Sequence, residues 1–405
     1  MIKDACSRCA TAVSVAVFAF ASICAFAETA YDEGATDTEI KIGQTMPYSG
    51  PASAYSNIGR TEAAYFRMIN EQGGVNGRKI NFISLDDGYS PPKTVELTRK
   101  LVEEEKVLFT FNQLGTATNS AIQKYMNNRK VPHLLLASGS PKWGDPEHFP
   151  WTMGFVLDSA LVGTIYAKHI LATIKDPKIG ILMQNDDLGK DYLNGFKAGL
   201  GQNNEKLIIQ LSTYQVTDAT VDSQIIQLKA SGANVFFNAS SPRFAALAIK
   251  KAYEIDWKPV HYVSDVSASF GSVFTPAGIA ASQGVIAARY QKDVTETKWS
   301  TTPDFVVWKA FMAKYMPSAD VNDQTYSYGY LAASTLIQIL KQCGDNLTRA
   351  NIMKQAANLD FEAPMLLPGI KVKTSATNFA PFRAAQLGRV NGTSLEMFGD
   401  LITSE

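Results

Sequence analysis

The chain has 405 residues, of which 46% are hydrophobic and 19% are charged, with 38 basic and 38 acidic side chains. This composition is typical of a globular protein, and the length is sufficient for two domains. The balanced charge excludes the basic surface on which nucleic-acid binding and attachment to anionic membranes depend, so no nucleic-acid partner is expected.

The first 27 residues have the pattern of a secretory signal peptide. Lys3 and Arg8 precede the apolar stretch Thr11–Ile23, and Ala25-Phe26-Ala27 supplies small residues before the polar Glu28. We expect cleavage near Ala27 and a mature protein that works outside the cytoplasm. An N-terminal membrane anchor is the alternative, but the apolar run is shorter than the roughly 20 residues of a bilayer span.

Cysteine usage excludes an intramolecular disulfide in the mature chain. Cys6, Cys9 and Cys24 all lie in the predicted signal peptide, and the bulky Ile23 disfavours lipid attachment at Cys24. Cys343 alone remains, and we interpret it as a packed thiol.

From Glu39 onward, short apolar runs alternate with segments of helical period. The first predicted helix places Ala63, Phe66 and Ile69 on one face. The predicted strands are Ile40–Thr45, Ile80–Leu85, Val107–Phe111 and Val131–Ala137, and the predicted helices between them are Ser56–Glu71, Pro92–Glu104 and Thr118–Asn128.

The alternation restarts near Trp151–Val156. Strand and helix alternation with short connections is typical of a parallel sheet covered by helices, so the restart predicts two doubly wound α/β lobes. The predicted strands of the second lobe are Lys178–Met183, Leu207–Leu211, Asn234–Phe237 and Val260–Val263, and its helices are Ser159–Ile174, Lys190–Leu200, Val221–Ala230 and Pro242–Glu254.

The last third of the chain does not extend this second alternation. A predicted strand at Gly284–Ala288 is followed by two helices, Asp304–Tyr315 and Thr325–Leu340, and the second helix carries an apolar stripe. We therefore expect the chain to cross back into the first lobe.

Polar loops follow three strands of the first lobe. These loops are rich in small and hydroxyl residues, and they are Pro47–Pro51, Gln113–Thr118 and Ser138-Gly139-Ser140. Ligands of open α/β sheets bind outside the carboxyl ends of the strands, where helix N-termini also attract anions. The recurrence of these loops predicts a ligand site, although each loop alone could be a cap or a turn.

Signatures of catalysis or of metal binding are missing. The four histidines, at positions 133, 148, 169 and 261, are scattered, and the chain has no P-loop and no nucleophile elbow. We expect no metal, no cofactor and no enzyme activity. A secreted hydrolase that uses Ser49 or Ser138 is an alternative, but no histidine lies in a partner motif.

At these loops the chain resembles the periplasmic solute-binding proteins of ABC transporters, specifically the leucine/isoleucine/valine-binding group. The resemblance covers nearly all of the chain after the signal peptide. Its motifs are Ile40-Lys41-Ile42-Gly43, Ser49-Gly50-Pro51, Tyr55, the run Ile69–Gly77, Asp86-Asp87 and the run Asp186–Tyr192.

The resemblance implies a type I periplasmic-binding-protein-like fold with two lobes joined by a three-segment hinge. The implied lobes are residues 38–155 with 290–362, and residues 156–289 with 363–405. It also implies a monomer in the periplasm that closes around a small solute and delivers it to a membrane permease of an ABC transporter.

The resemblance further assigns candidate ligand contacts. Thr116 would receive the ligand carboxylate, Asp265 the ligand ammonium, and Tyr55 would form a wall of the side-chain pocket. The full set of predicted ligand-binding residues is Tyr55, Leu114, Thr116, Ala137, Ser138, Gly139, Leu188, Ser240 and Asp265.

A branched-chain or other hydrophobic amino acid is the ligand that the resemblance implies. Leu188 and Ser240 stand where the family often has aromatic residues, which leaves an amino-group-free carboxylate, such as an aromatic acid, as the alternative. The same fold also serves as the ligand-binding domain of sensory receptors, which is a further alternative.

Overall fold

The computed structural model describes residues 30–403. The predicted signal peptide, its cleavage site near Ala27 and the first three cysteines lie outside this range. No helix in the described range has the length and apolar character that crossing a membrane requires.

The first sheet has five parallel strands, in the order β2-β1-β3-β4-β5. Its strands are mostly buried, as expected for a parallel sheet that is covered on both faces. The strands are β1 (Glu39–Met46), β2 (Lys79–Asp86), β3 (Phe109–Phe111), β4 (His133–Leu136) and β5 (Thr152–Gly154). The helices between them are α1 (Ser56–Glu71), α2 (Pro91–Arg99) and α3 (Thr116–Arg129).

The second sheet has seven strands, in the order β12-β11-β10-β9-β8-β6-β7. The strands β6 to β10 pair in parallel, whereas β11 pairs antiparallel with both β10 and β12. The strands are β6 (Ile179–Gln184), β7 (Ile208–Tyr214), β8 (Val235–Ala239), β9 (Val260–Val263), β10 (Ile286–Arg289), β11 (Ala384–Asn391) and β12 (Ser394–Thr403).

Four longer helices accompany the second sheet, and three more follow β10. The first group is α4 (Ser159–Thr173), α5 (Asp187–Leu200), α6 (Asp222–Ala230) and α7 (Pro242–Glu254). Two short helices, Thr275–Ala277 and Ile279–Ser282, precede β10. The second group is α8 (Pro303–Tyr315), α9 (Gln324–Cys343) and α10 (Arg349–Ala356).

Helix α9 packs along α1 and so returns the chain to the first lobe. The two helices approach closely at Gly329, where a Cβ atom would lie only 2.8 Å from the carbonyl oxygen of Ile58. A larger residue at this position would push the helices apart, so glycine is required by the contact. Cys343 at the end of α9 is buried and free, and its burial raises the pKa of the thiol to about 12.

The structure confirms the predicted fold class of two α/β lobes with parallel sheets. The exact lobe boundaries stay a prediction, and the structure favours a later third crossing than residue 362. Asp360–Phe361 pairs with Val372–Lys373, and the N–H of Phe379 donates to the carbonyl oxygen of Gly144 in the first lobe. The chain enters the second sheet only at Ala384.

Two helices begin earlier than predicted, and the residues at their starts lie near the cleft between the lobes. Helix α3 begins at Thr116, not at Thr118, and α5 begins at Asp187, not at Lys190. The carboxylate of Asp186 caps α5 by accepting hydrogen bonds from the backbone N–H groups of Leu188 and Gly189. Thr116 and Leu188, in the first turns of α3 and α5, line the same cavity between the lobes.

Candidate ligand-binding site

A cavity of about 90 Å³ lies between the two lobes, at the carboxyl ends of strands from both sheets. This is where open α/β sheets bind their ligands. Eight of the predicted ligand-binding residues line it: Tyr55, Leu114, Thr116, Ala137, Ser138, Gly139, Leu188 and Asp265. Their contact with a ligand stays a prediction, but the structure brings them together around one space.

The first lobe contributes a cradle for an anion at the start of α3. Trp143 Nε1 donates to Ser138 Oγ at 2.8 Å, and Ser138 Oγ shares a hydrogen bond with Thr116 Oγ1 at 2.7 Å. The hydrogen bond between the two hydroxyls uses one of their two protons, so the other proton can be donated to a ligand. The first N–H groups of a helix also lack intrahelical acceptors, so this end of α3 suits a carboxylate.

Gly115 allows the cradle to sit against an aromatic ring. Its φ angle is 100°, and a Cβ atom there would lie 2.5 Å from Cε2 of Tyr89. The hydroxyl oxygen of Tyr89 accepts a hydrogen bond from Nε2 of Gln184, which ends β6 in the second lobe. Tyr89 thus contacts the cavity and joins the two lobes.

The remaining first-lobe wall is apolar. Tyr55, Leu114 and Tyr328 face the cavity together with Tyr89. Burial raises the pKa of Tyr55, Tyr89 and Tyr328 well above the ordinary value, so all three rings stay neutral. This wall suits the hydrocarbon part of a ligand.

The second lobe contributes a buried carboxylate. Asp265 is 6% exposed, and its Oδ1 accepts a hydrogen bond from the hydroxyl of Tyr192. Burial raises the pKa of Asp265 to about 6, while the Tyr192 hydrogen bond and the charge of Arg289 act in the opposite direction. A carboxylate in this position is suited to a cation, because burying it without one is costly.

Arg289 lies at the end of β10 and also lines the cavity. It is 5% exposed, and its Nη1 donates to the carbonyl oxygen of Ala268 at 2.9 Å. The second lobe therefore offers the cavity both a carboxylate and a guanidinium.

Ser240 is the predicted contact that the structure does not place in the cavity. It is fully buried, and its carbonyl oxygen accepts hydrogen bonds from the hydroxyls of Ser264 and Ser267, each at 2.6 Å. These bonds hold the loop after β8, and Ser241, the next residue, lines the cavity. The structure therefore places Ser241, and not the predicted Ser240, at the cavity wall, and a contact of either residue with a ligand stays a prediction.

Contacts outside the cavity hold the lobes together. Asp187 Oδ2 on α5 accepts hydrogen bonds from Lys142 Nζ at 3.0 Å and from Ser120 Oγ at 3.1 Å, both in the first lobe. Asp187 and Lys142 are each about a third exposed or more, so their ion pair contributes at most about 1 kcal/mol. The structure thus shows the lobes in contact.

The geometry gives no support to the hydrolase alternative. Ser138 is bonded to Trp143 and Thr116, and Ser49 Oγ donates to Asp86 Oδ2 at 2.6 Å. His133 is bonded to Asn119 instead, and burial lowers its pKa to about 3. Within residues 30–403, no group of acidic, histidine or cysteine side chains is arranged to hold a metal ion.

Residues 39–394 match the protein family described as "Periplasmic binding protein". The chain belongs to this family. The match confirms the predicted resemblance to the leucine/isoleucine/valine-binding group, whose members are binding proteins and not enzymes.

Relatives and solved structures agree with this assignment. Leu/Ile/Val-binding protein homolog 7 of Brucella abortus (strain 2308) is 23% identical over 354 residues, which is 84% of this chain and 86% of the relative. A branched chain amino acid ABC transporter protein from Thermus thermophilus with bound valine has a TM-score of 0.82 at 15% identity, covering 91% of this chain and 98% of the other. An ABC transporter solute binding protein from R. palustris in complex with benzoate has a TM-score of 0.76 at 19% identity, covering 91% and 98%.

Sequence reasoning missed several cavity residues of this periplasmic binding protein. Gln184 and Arg289 end strands β6 and β10, so the strand-end pattern that found Thr116 could also have found them. Tyr89 and Tyr328 do not lie at strand ends, so the sequence pattern did not indicate them. Tyr89 reaches the cavity from a left-handed backbone position with φ of 61°, and Tyr328 reaches it from the buried helix α9.

Proposed function

We propose that this chain is the substrate-binding component of an ABC-type amino-acid transport system. In the periplasm it captures an amino acid whose side chain lies against an apolar wall, with the branched-chain and other hydrophobic amino acids as the first candidates. The lobes close around the ligand, and the closed form is presented to a membrane permease.

One observation carries this proposal: a buried carboxylate and a carboxylate cradle face one cavity from different lobes. The α-ammonium group of an amino acid would pair with Asp265, and its α-carboxylate would accept hydrogen bonds from Thr116 and the start of α3. A ligand that bridges the lobes in this way stabilises the closed form, because it binds that form better than the open one.

An amino-group-free carboxylate, such as an aromatic acid, is the second candidate. It is favoured by the pKa of Asp265, which burial raises to about 6 and so brings toward the protonated form at neutral pH. A protonated Asp265 needs no cation, and Arg289 could then bind the ligand carboxylate. A solved neighbour with bound benzoate supports the same alternative.

A thermal-shift screen with matched pairs separates the two candidates. We expect leucine or phenylalanine to raise the melting temperature, and 4-methylpentanoate or 3-phenylpropanoate, which lack the amino group, to have little effect. A ligand at about a hundred times its Kd stabilises the folded protein by about 2.7 kcal/mol, enough for a measurable shift. A shift with the deaminated acids alone would contradict the amino-acid proposal.

Thr116→Ala is expected to weaken amino-acid binding by about 1.5 to 3 kcal/mol, the range for a hydrogen bond to a charged group. Titration calorimetry measures the loss. Thr118→Ala is the matched control, because the Thr118 hydroxyl donates to carbonyl groups of its own loop and helix and does not line the cavity. Equal affinities for the wild type and Thr116→Ala would place the ligand carboxylate elsewhere.

A further inference from the structure

Arg289 has hydrogen-bonding capacity that the described protein does not use. Its Nη1 is held by the carbonyl oxygen of Ala268, but Nε and Nη2 are buried and have no partner within residues 30–403. The side chain lines the cavity and is 5% exposed. A buried guanidinium with unused N–H groups is costly, so its retention at the cavity wall points to a ligand group.

The two free nitrogens form one edge of the guanidinium. The Nε–H and one Nη2–H are parallel, and their spacing matches the two oxygens of a carboxylate. The bond from Nη1 to Ala268 restrains the guanidinium plane, and the Nε and Nη2 edge is left free for a bidentate contact.

The acid that shares this wall does not occupy that edge. Asp265 contributes a favourable charge interaction with Arg289, but it forms no ion pair with Arg289 within 4 Å, and its Oδ1 is bonded to Tyr192. The carboxylate and the guanidinium can therefore bind two different groups of one ligand.

We propose that the Nε and Nη2 edge of Arg289 binds a second carboxylate at the end of the ligand's side chain. This inference rests on the proposed function, in which Asp265 takes the α-ammonium group and Thr116 the α-carboxylate. The substrate class is then a dicarboxylic amino acid, whose methylene groups contact the apolar wall of Tyr55 and Leu114. This class keeps the amino-acid head group of the proposed function, but it replaces the hydrophobic side chain with an aliphatic chain that ends in a charged group.

Titration calorimetry with pairs that are matched in size but differ in side-chain charge tests this assignment. The probes are aspartate with asparagine, glutamate with glutamine, and 2-aminoadipate with norleucine, and leucine serves as the aliphatic reference. We expect the wild type to bind the dicarboxylic member of at least one pair ten times more tightly than its neutral partner or leucine. Arg289→Gln should reduce this preference to about twofold or less.

Two further variants sharpen the readout. Arg289→Lys keeps the positive charge but cannot form the bidentate hydrogen bond. We therefore expect it to retain only part of the preference for the dicarboxylic amino acid. Arg389→Gln is the matched control, since Arg389 is an exposed arginine on the neighbouring strand β11, and we expect it to bind as the wild type does. The preference is a ratio of two affinities in one protein sample, so partial unfolding of a variant does not alter it.

The outcomes distinguish this inference from the function on which it rests. If leucine binds with at least equal affinity and Arg289→Gln leaves all ratios unchanged, the second-carboxylate assignment fails while amino-acid capture stands. If Arg289→Gln lowers the affinity for both amino acids of a pair by the same factor, Arg289 does not bind the second carboxylate, and the assignment also fails. If none of the seven amino acids binds to the wild type, the proposed function fails with it.

Discussion

Asp265→Asn is expected to weaken amino-acid binding at least a hundredfold. Asparagine keeps the shape of the side chain and can still accept the hydrogen bond from Tyr192, but it removes the negative charge that faces the cavity. Removing one partner of a buried charge pair typically costs 2 to 5 kcal/mol, and a hundredfold loss corresponds to about 2.7 kcal/mol.

Calorimetry measures this loss, and thermal melting shows whether the variant is folded. We expect the melting temperature of the empty variant to be no lower than that of the wild type, because the raised pKa of Asp265 means that its ionised form is unfavourable in the empty site even with Arg289 nearby. Asp187→Asn is the control: Asp187 contacts Lys142 and Ser120 across the lobes, outside the cavity, so its loss should weaken binding less than tenfold. Full affinity in Asp265→Asn would remove the ammonium contact from the proposal.

The affinity for an amino acid is expected to fall as the pH drops below 6. In the empty site the pKa of Asp265 is raised from 3.8 to about 6, and the first cause is burial. The ligand ammonium pairs with the ionised form, so binding lowers this pKa. The affinity for an amino acid is therefore highest well above pH 6. Below pH 6 it falls by up to tenfold per pH unit, so at pH 4 it is up to about a hundredfold weaker.

The sign of this dependence separates the two ligand classes. A carboxylate without an amino group is repelled by ionised Asp265, so its affinity should rise as the pH falls toward 5. Four tyrosines surround Asp265, and their raised pKa values keep them neutral throughout: Tyr55, Tyr166, Tyr192 and Tyr290.

Titrations at several pH values between 4 and 7.5 check this prediction. The buried histidines His133 and His261 have pKa values lowered to about 3, so they do not titrate in this window. Asp265→Asn is the control and should show a flat profile for whatever binding it retains. A wild-type profile that is also flat would show that Asp265 does not meet a charged group of the ligand.

The alternation of apolar runs was sufficient to predict the two-lobed α/β fold, because each run fills a buried strand or one helix face. The hairpin of β11 and β12 was missed, although the two residues between its strands, Gly392-Thr393, match a hairpin turn with glycine at its first central position. Gly392 has a φ of 59°, as such a turn requires. The lobe crossing before β11 depends on long-range pairing with β10, which local sequence does not encode.

The candidate site could be predicted where it follows from strand ends. Thr116 and Ser138 lie in loops that follow strands of the first lobe, and both reach the cavity. Asp265 also follows a strand and reaches the cavity, but its prediction came from the family resemblance. Arg289 directly follows the predicted strand Gly284–Ala288, and it was missed because only the strand ends of the first lobe were searched for ligand contacts. The choice between Ser240 and Ser241 depends on which backbone carbonyl the loop serines bind, and a sequence pattern does not carry that information.

A crystal structure of the protein with the amino acid that stabilises it most in the thermal screen tests the central claim most directly. The proposal predicts the ligand in the cavity between the lobes, with its ammonium within hydrogen-bonding distance of the Asp265 carboxylate and its α-carboxylate on Thr116 and the start of α3. A ligand bound outside this cavity, or bound in it with its ammonium group away from Asp265, would contradict the proposal.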